Sequence, residues 1–414
     1  MRNRWPELIA CSMLLAGNAL ADDHTWQRVT GTAALTEFMT DVRLEAEFGD
    51  GVKSVSRYRA DGTGYLESWN GRFNRTWMIK DNNQVCVASQ TKSECFWIEQ
   101  DTAQPEAYRV VDDENRATRI NRVPDGGDEV VVSVDSAVAV QNQRGLPSID
   151  ELANEFINPN TSLTFLSSDT DYIRYQGDIP DADTQSRLMT TVRPTAPFPV
   201  GDPQTQTNFA FRPIVPIVWR ADVPAETGGF DSEGVDLGDI TLAPSVRRTF
   251  DNGVIFGGGF ALTMPTATDD ALGLDQWLLG PSIALGAQRR WGVLAATVST
   301  QWDFAGEDDY DTQLSIARLL YAASLPKGWQ IFGAPTITYD HEANSNNDLA
   351  LPISIGIAHT RLLNRKPWRF ALEYWHYIES PDAFGPDYQI RFTVSPSITT
   401  PWLKRVCDGR LPWC

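Results

Sequence analysis

The sequence lacks the features that would indicate an enzyme or a helical membrane protein. After the first 21 positions it has no run of about 18 or more apolar residues, so no transmembrane helix is expected. It has only four histidines, at positions 24, 341, 359 and 376. No serine motif surrounds them, whereas a hydrolase needs serine or aspartate set with histidine. We therefore expect no enzyme activity, no cofactor and no metal site.

Basic residues are also scarce. The chain has 35 Lys and Arg against 54 Asp and Glu, a formal charge of -19 over 414 residues. Nucleic acid and anionic membrane surfaces attract basic proteins, so the balance argues against both as partners.

The N-terminus has the pattern of a secretory signal over residues 1–21. Arg2 and Arg4 form the charged region, Leu8 to Leu20 the short apolar region, and Ala19-Leu20-Ala21 the cleavage site. Lipidation at Cys11 is the less favoured alternative, because the apolar region continues past it. An exported chain that must enter a membrane without helices has to close into a β-barrel, because lipid leaves its backbone groups no other partners. This predicts the bacterial outer membrane.

The cysteines left after export form two locally spaced pairs. These are Cys86 with Cys95 and Cys407 with Cys414. Three connectivities are possible, and local pairing needs the least chain closure. We predict two disulfides, with a metal site as the rival interpretation, although no Cys-x-x-Cys pair is present.

The region 22–123 predicts a small, soluble antiparallel β module. Short alternating segments are separated by hairpin signals at Asp61-Gly62, Asn70-Gly71 and Asp81-Asn82-Asn83. The module could bind a ligand or partner, or only cap the rest of the chain.

Residues 124–160 predict a linker and then a short helix, with Ser148 as N-cap, Glu151 three residues later and Pro159 as its end. This helix could plug a lumen or lie at its rim.

Residues 161–398 predict an all-β fold, an antiparallel up-and-down transmembrane β-barrel of about 12 strands. The last candidate is the clearest, because apolar Tyr388, Ile390, Phe392 and Val394 alternate with polar residues. The twelve candidates are Leu163–Gln176, Thr184–Phe198, Asn208–Trp219, Ile240–Phe250, Val254–Thr263, Trp277–Ala287, Trp291–Trp302, Thr312–Ser324, Trp329–Tyr339, Leu351–Thr360, Trp368–Tyr377 and Tyr388–Ile398.

Charge separates the connections into two kinds. Five connections between candidate strands together contain 20 Asp or Glu and no Lys or Arg. They are Ala221–Asp239, Met264–Gln276, Asp303–Asp311, Asp340–Ala350 and Glu379–Asp387. The alternate connections are short and have basic residues in or beside them: Arg247, Arg248, Arg289, Arg290, Lys327, Arg365 and Lys366. Long loops face outward in such barrels, so both chain ends are predicted in the periplasm, with the module and the tail 399–414.

Two sets of side chains follow from the strand pattern. An interfacial aromatic girdle is predicted at Trp219, Trp277, Trp291, Trp302, Trp329, Trp368 and Tyr377. The predicted pore-lining residues are Arg193, Arg212, Glu373, Gln389, Arg391 and Thr393. Charges of both signs would filter polar solutes, or would pair and block the lumen.

An ordered set of motifs in residues 152–398 resembles the outer-membrane family of phenol meta-pathway degradation proteins. The motifs are Met264-Pro-Thr-Ala-Thr-Asp-Asp-Ala-Leu-Gly273, Gly280-Pro281, Asp303-Phe304-Ala305-Gly306, Leu325-Pro-Lys-Gly-Trp329, Val235-Asp-Leu-Gly-Asp239, Glu379-Ser-Pro-Asp382 and Gly385-Pro-Asp387. The resemblance implies an outer-membrane barrel that passes aromatic or hydrophobic compounds. It does not cover the module or the tail.

The sequence therefore predicts a channel or transporter for small, including hydrophobic or aromatic, compounds. The alternative is a non-conducting structural or binding barrel that displays the module. Expected partners are outer-membrane lipid and lipopolysaccharide, the barrel-assembly machinery and a small-molecule solute, with no nucleic acid.

Overall fold

The computed structural model describes residues 25–47, 53–69, 71–89, 93–124, 147–201, 205–225, 229–306 and 310–398. The predicted signal, most of the linker and the Cys407–Cys414 pair lie outside these residues. No helix in the described part of the chain is both long enough and apolar enough to cross a membrane.

The N-terminal module is a closed antiparallel β-barrel rather than a flat meander. Strand β7 pairs with both β6 and β8, and β2 pairs with both β3 and β9, which joins eight strands in a ring, while β1 pairs with β7. Hairpin signals specify neighbouring strands but not the pairing that closes a ring. The elements are β1 (Trp26–Arg28), α1 (Thr32–Met39), β2 (Val42–Glu47), β3 (Lys53–Tyr58), β4 (Thr63–Ser68), β5 (Gly71–Ile79), β6 (Val85–Ala88), β7 (Ser93–Asp101), β8 (Tyr108–Val111) and β9 (Ala117–Pro124).

The module is packed with its own apolar side chains. Helix α1 buries Leu35, Phe38 and Met39 in one cluster with strand residues such as Val42 and Ile98. Burial of such side chains stabilises a fold by about 1.5–3 kcal/mol each. Its Cys86–Cys95 disulfide, predicted from the spacing, is confirmed and joins directly paired residues of β6 and β7.

Helix α2 spans Ile149–Ile157, as the sequence predicts. The Ser148 hydroxyl accepts from the backbone N–H of Glu151, and the Glu151 carboxylate accepts from the backbone N–H of Ser148, a complete capping box.

The C-terminal part is the predicted closed antiparallel barrel. Its seventeen strand segments form twelve spanning strands, and β26 returns to pair with β10. The segments are β10 (Phe165–Gln176), β11 (Ser186–Pro199), β12 (Thr207–Phe211), β13 (Pro213–Pro224), β14 (Phe230–Glu233), β15 (Asp236–Leu237), β16 (Ile240–Leu242), β17 (Ser245–Thr249), β18 (Val254–Met264), β19 (Gln276–Arg289), β20 (Gly292–Gly306), β21 (Gln313–Ser324), β22 (Trp329–Gly333), β23 (Thr336–Asp340), β24 (Leu349–Leu363), β25 (Lys366–Glu379) and β26 (Gly385–Pro396).

Proline explains several of the strand breaks. Pro244 separates β16 from β17, Pro335 separates β22 from β23, and Pro352 follows a register shift in β24. Proline has no N–H to donate to a ladder, so breaks and bulges are where it fits.

One predicted connection is wrong in part. The segment Ala221–Asp239 was expected to be a loop, yet β13 runs on to Pro224 and β14 and β15 pair back onto it. These strands are missed by sequence analysis because the segment is acidic, and strands that pair outside the lipid belt do not need apolar side chains.

The outer surface of the barrel carries an apolar belt. In β24, Ile353, Ile355 and Ile357 are 54%, 64% and 48% exposed, while the alternating Ser354 and Ala358 are buried. Exposed apolar side chains on successive strands are unfavourable in water and fit a lipid environment.

Most of the predicted aromatic girdle lies on this outer surface. Trp219, Trp291 and Trp302 are exposed, and Trp329 stacks on His359. Tyr377 is the exception: it shares the inward face of β25 with Glu373, and its hydroxyl donates to Gln389. Its place in the girdle was wrong, because the neighbouring His376 has the outward position.

Candidate functional site in the barrel interior

A buried ion pair joins the two strands that close the barrel. The register sets Asp171 of β10 opposite Arg391 of β26. The Arg391 Nε and Nη2 atoms donate to the two Asp171 carboxylate oxygens at 2.6 and 3.0 Å. This bidentate geometry is the strong form of the interaction. Gln389 Nε2 also donates to Asp171, at 2.8 Å, and the Arg391 guanidinium lies 4.5 Å from the centroid of the buried Trp375 ring.

A second ion pair lies beside the first. Arg193 Nη1 on β11 is 2.6 Å from Asp169 Oδ2, and the Thr393 hydroxyl donates to Asp169 Oδ1 at 2.7 Å. Asp169 and Thr393 face each other in the ladder. The inward face of the closing seam is therefore polar and internally paired.

Glu373 on β25 faces the same interior. It is buried and accepts a hydrogen bond from the Ser354 hydroxyl at 2.7 Å and another from the backbone N–H of Ala334. Arg369 lies on the same face of β25, four residues before Glu373. Its guanidinium is 4.6 Å from the Phe332 ring centroid and within electrostatic range of Asp169 and Glu373.

Three more arginines, Arg212, Arg247 and Arg318, point into the barrel without forming an ion pair to a described residue. Arg212 Nη2 and Arg247 Nη1 both donate to the carbonyl oxygen of Pro159, at 2.7 and 2.8 Å. Arg212 lies within electrostatic range of Arg247 and Arg318. None of the three forms an ion pair within the described residues.

Arg318 marks a water-accessible space inside the barrel. It faces Thr297 and lies within electrostatic range of Arg193, Arg391 and Asp169, so its side chain points inward. It is nevertheless exposed. An exposed inward side chain in a closed barrel must line internal solvent.

One end of the interior is filled by α2 and the residues after it, here called the plug segment (residues 147–164). Ile157 is 5% exposed and packs in one cluster with Phe332 and with small residues of four other strands, namely Val293, Ala295, Ala322, Ala358 and Ala371. The Asn154 side chain accepts hydrogen bonds from Ser324 and Gln330. The plug segment then crosses to the opposite wall, where the Asn160 amide donates to Thr249 Oγ1 at 2.8 Å.

The N-terminal module covers the plug segment from outside. Leu66, Trp69 and Phe73 of the module form one buried cluster with Leu152 and Phe156 of α2. Arg75 of the module pairs with Glu151, Nη1 to Oε1 at 2.8 Å, with both side chains largely buried. A cavity of about 250 Å³ remains at this junction, lined by residues that include Trp69, Ile149, Lys327, His359 and Arg361.

The structure brings most of the predicted pore-lining residues into one network. Arg193, Glu373, Gln389, Arg391 and Thr393 lie around Asp169 and Asp171, while Arg212 binds the carbonyl oxygen of Pro159 in the plug segment instead.

Sequence reasoning missed several members of this interior. They are Asp169, Asp171, Arg247, Arg318 and Arg369. The alternation Ser167, Asp169, Asp171 in the first strand was a usable signal. Arg247 was grouped with the basic turns, but it lies inside β17 and points inward, whereas Arg248 points outward.

Metal-ligating side chains do not cluster in the part of the chain that the structure describes. Within the described residues there is no group of three or more His, Cys, Asp or Glu side chains that could hold one.

Comparisons with known proteins give only distant structural likenesses. No family model and no curated protein matches the chain. An outer membrane channel from Pseudomonas putida F1 aligns with a TM-score of 0.46 and 11% identity, covering 57% of this chain and 95% of that one. The beta domain of the Bordetella autotransporter BrkA aligns at 0.34 and 9%, covering 57% and 100%. The CymD monoaromatic hydrocarbon channel aligns at 0.29 and 11%, covering 60% and 92%. At these values the likenesses assign neither a function nor a substrate to this chain.

Proposed function

We propose that the chain is an outer-membrane β-barrel channel for small compounds, including hydrophobic or aromatic ones, held closed at one end by its plug segment. The supporting observation is the contrast between the two faces of the barrel wall. The outer face is an apolar belt, whereas the inner face carries charges and a water-accessible arginine, Arg318. A barrel that only anchors the module would not need solvent inside.

The plug segment is the proposed gate. It reaches both walls of the lumen, through Ile157 on one side and Asn160 on the other. A solute can pass this level only if α2 moves. The Arg75–Glu151 ion pair connects the helix to the module, so displacement of the module would also disturb the gate.

The end that carries the module is proposed to be periplasmic. The module contacts the tight turn between β24 and β25, where the Trp69 indole N–H donates to the carbonyl oxygen of Arg365 at 2.8 Å. Short turns face the periplasm in this class of barrel. The acidic loops 265–275, 341–348 and 380–384 would then face the lipopolysaccharide, after insertion by the barrel-assembly machinery.

The experiment is single-channel recording of the full-length chain in planar bilayers. Ile157→Ala should increase open probability, because it removes a buried contact of the plug with the wall. Loss of such a contact costs about 2–5 kcal/mol. The matched control is Ile355→Ala, the same change on the lipid-facing surface, which should gate like the unaltered chain.

The second candidate is a non-conducting barrel that displays the module. It is favoured by the close packing of the seam and plug, where Asp171, Glu373 and Trp375 are each 2% exposed. A folded, heat-modifiable barrel that never conducts, even as Ile157→Ala, would establish this second function and reject the first.

A further inference from the structure

Positive charge is in excess in the barrel interior. Among the described residues, the charged side chains that pair there or lie within electrostatic range of one another are six arginines and three carboxylates, a difference of three. The arginines are Arg193, Arg212, Arg247, Arg318, Arg369 and Arg391, and the carboxylates are Asp169, Asp171 and Glu373. Enclosed charge of one sign is unfavourable unless a counter-charge is near.

The excess comes from the arginines that form no ion pair within the described residues. Arg391 and Arg193 have their carboxylates at the closing seam. Arg212 and Arg247 share a single carbonyl acceptor, and the Nε atom of each is buried without a hydrogen-bond partner. One carbonyl oxygen carries only a partial charge and leaves two full positive charges unneutralised.

The wall between these arginines is concave. The ladder sets Arg247 beside Gly257, Gly257 beside Ala284, Ala284 beside Thr297, and Thr297 beside Arg318. Four strand spacings of about 4.8 Å separate the two arginines by roughly 19 Å along the wall. The three positions between them carry small side chains, so no bulky side chain of the wall stands between the two arginines.

Apolar surface adjoins Arg318 on the side of the plug segment. Leu320 follows Arg318 on the same face of β21 and packs in the cluster of Ile157 and Phe332 at the top of the plug. A molecule in the water-accessible space beside Arg318 would therefore meet guanidinium groups on one side and hydrocarbon on the other.

We propose that Arg212, Arg247 and Arg318 form a binding site for a small organic carboxylate just above the plug segment. The carboxylate accepts from the guanidinium groups, in the paired geometry that arginine offers to carboxylates. The body of the molecule packs against Leu320, which is only partly buried. This inference rests on the proposed channel function, since the ligand must reach the lumen, and it makes the arginine row the selectivity-determining surface of the pore.

The test is direct binding to the folded full-length chain in detergent, measured by calorimetry. The probes are sodium benzoate, neutral benzyl alcohol and sodium chloride. Benzoate should bind at least about tenfold more tightly than the other two, as expected when charge-assisted hydrogen bonds are gained. Arg318→Gln and Arg247→Gln should each weaken benzoate binding by about tenfold.

Two matched variants complete the design. Arg248→Gln changes the neighbouring residue, which points outward, and should leave binding unchanged. Arg318→Lys keeps the charge, and should retain part of the affinity if the site is electrostatic. Heat-modifiable migration verifies that each variant is folded.

The outcomes separate this inference from the channel proposal. Absence of benzoate binding, equal binding of chloride or benzyl alcohol, or equal effects of Arg247→Gln and Arg248→Gln would overturn the site. Benzoate binding that depends on Arg318, in a barrel that never conducts, would support the site and reject the channel. Conduction that prefers cations, together with an absence of benzoate binding, would support the channel and reject the site.

Discussion

The indole N–H of Trp69 donates to the carbonyl oxygen of Arg365 at 2.8 Å, across 296 positions of sequence. Trp69 belongs to the module and Arg365 to the tight turn between β24 and β25. The contact fixes the module against the barrel rim, next to the turn at residues 325–328 where α2 docks through Asp150 and Gly328.

Loss of this hydrogen bond should loosen the module without unfolding it. Trp69→Phe keeps an aromatic ring in the cluster and removes only the donor, which costs about 1 kcal/mol. Hydrogen exchange should become several-fold faster at the backbone amides around residues 362–366. Trp97→Phe is the matched control, because it removes an indole bond to a carbonyl inside the module, that of Asn82. Equal exchange at the turn in both variants would contradict the docking role.

Gating should depend on pH through Glu155. This residue of α2 is half-buried, and its partial removal from solvent raises the pKa of its carboxyl above the ordinary value of 4.5, although Ser162, Asn158 and Thr161 donate to it. The docked helix therefore holds the proton more tightly than a released one would. Acidic pH favours docking, and this contribution is lost as the pH rises from about 4.5 through the raised pKa.

Open probability in bilayers should accordingly increase with pH over that window. Glu155→Gln imitates the protonated form and should remain more closed, with a flat pH response. Glu342→Gln, an exposed residue in a loop at the far end of the barrel, is the control and should keep the slope. If the open probability of Glu155→Gln still increases with pH, the titration belongs to another group.

The closing seam should depend on Asp171. Asp171→Asn removes the partner of Arg391 and leaves a buried cation, a change that costs about 3–5 kcal/mol. The midpoint temperature of heat-modifiable unfolding should fall clearly. Asp251→Asn, in an exposed turn, should not change it. If both variants unfold at the same temperature, the ion pair makes no net contribution to closure.

The disulfide should stabilise the module alone. Closing a loop of about ten residues contributes roughly 2–3 kcal/mol in the chain-entropy account. The double variant Cys86→Ala/Cys95→Ala should lower the midpoint of urea unfolding of the module and leave heat modifiability of the large barrel unchanged. A simultaneous loss of both would indicate that the two parts unfold as one unit.

Local pattern was sufficient for several elements of this protein. Alternation in Tyr388–Ile398 placed β26, Ser148 with Glu151 placed the start of α2, and the spacing of Cys86 and Cys95 gave the disulfide. Each depends on residues near one another in the chain, where side-chain period and capping chemistry act directly. The same reasoning failed for Tyr377, because a strand end does not reveal which face its last residue takes.

Only the tertiary structure decided what the interior does. Asp171 and Arg391 are 220 positions apart, and they meet because the first strand pairs with the last. The same closure brings Arg212, Arg247 and Arg318 toward one space and sets Ile157 across the lumen. The alternation in each strand determined which residues face inward. Which of them face one another depends on register and ring closure, and these are set by the summed pairing of all twelve strands rather than by any one segment.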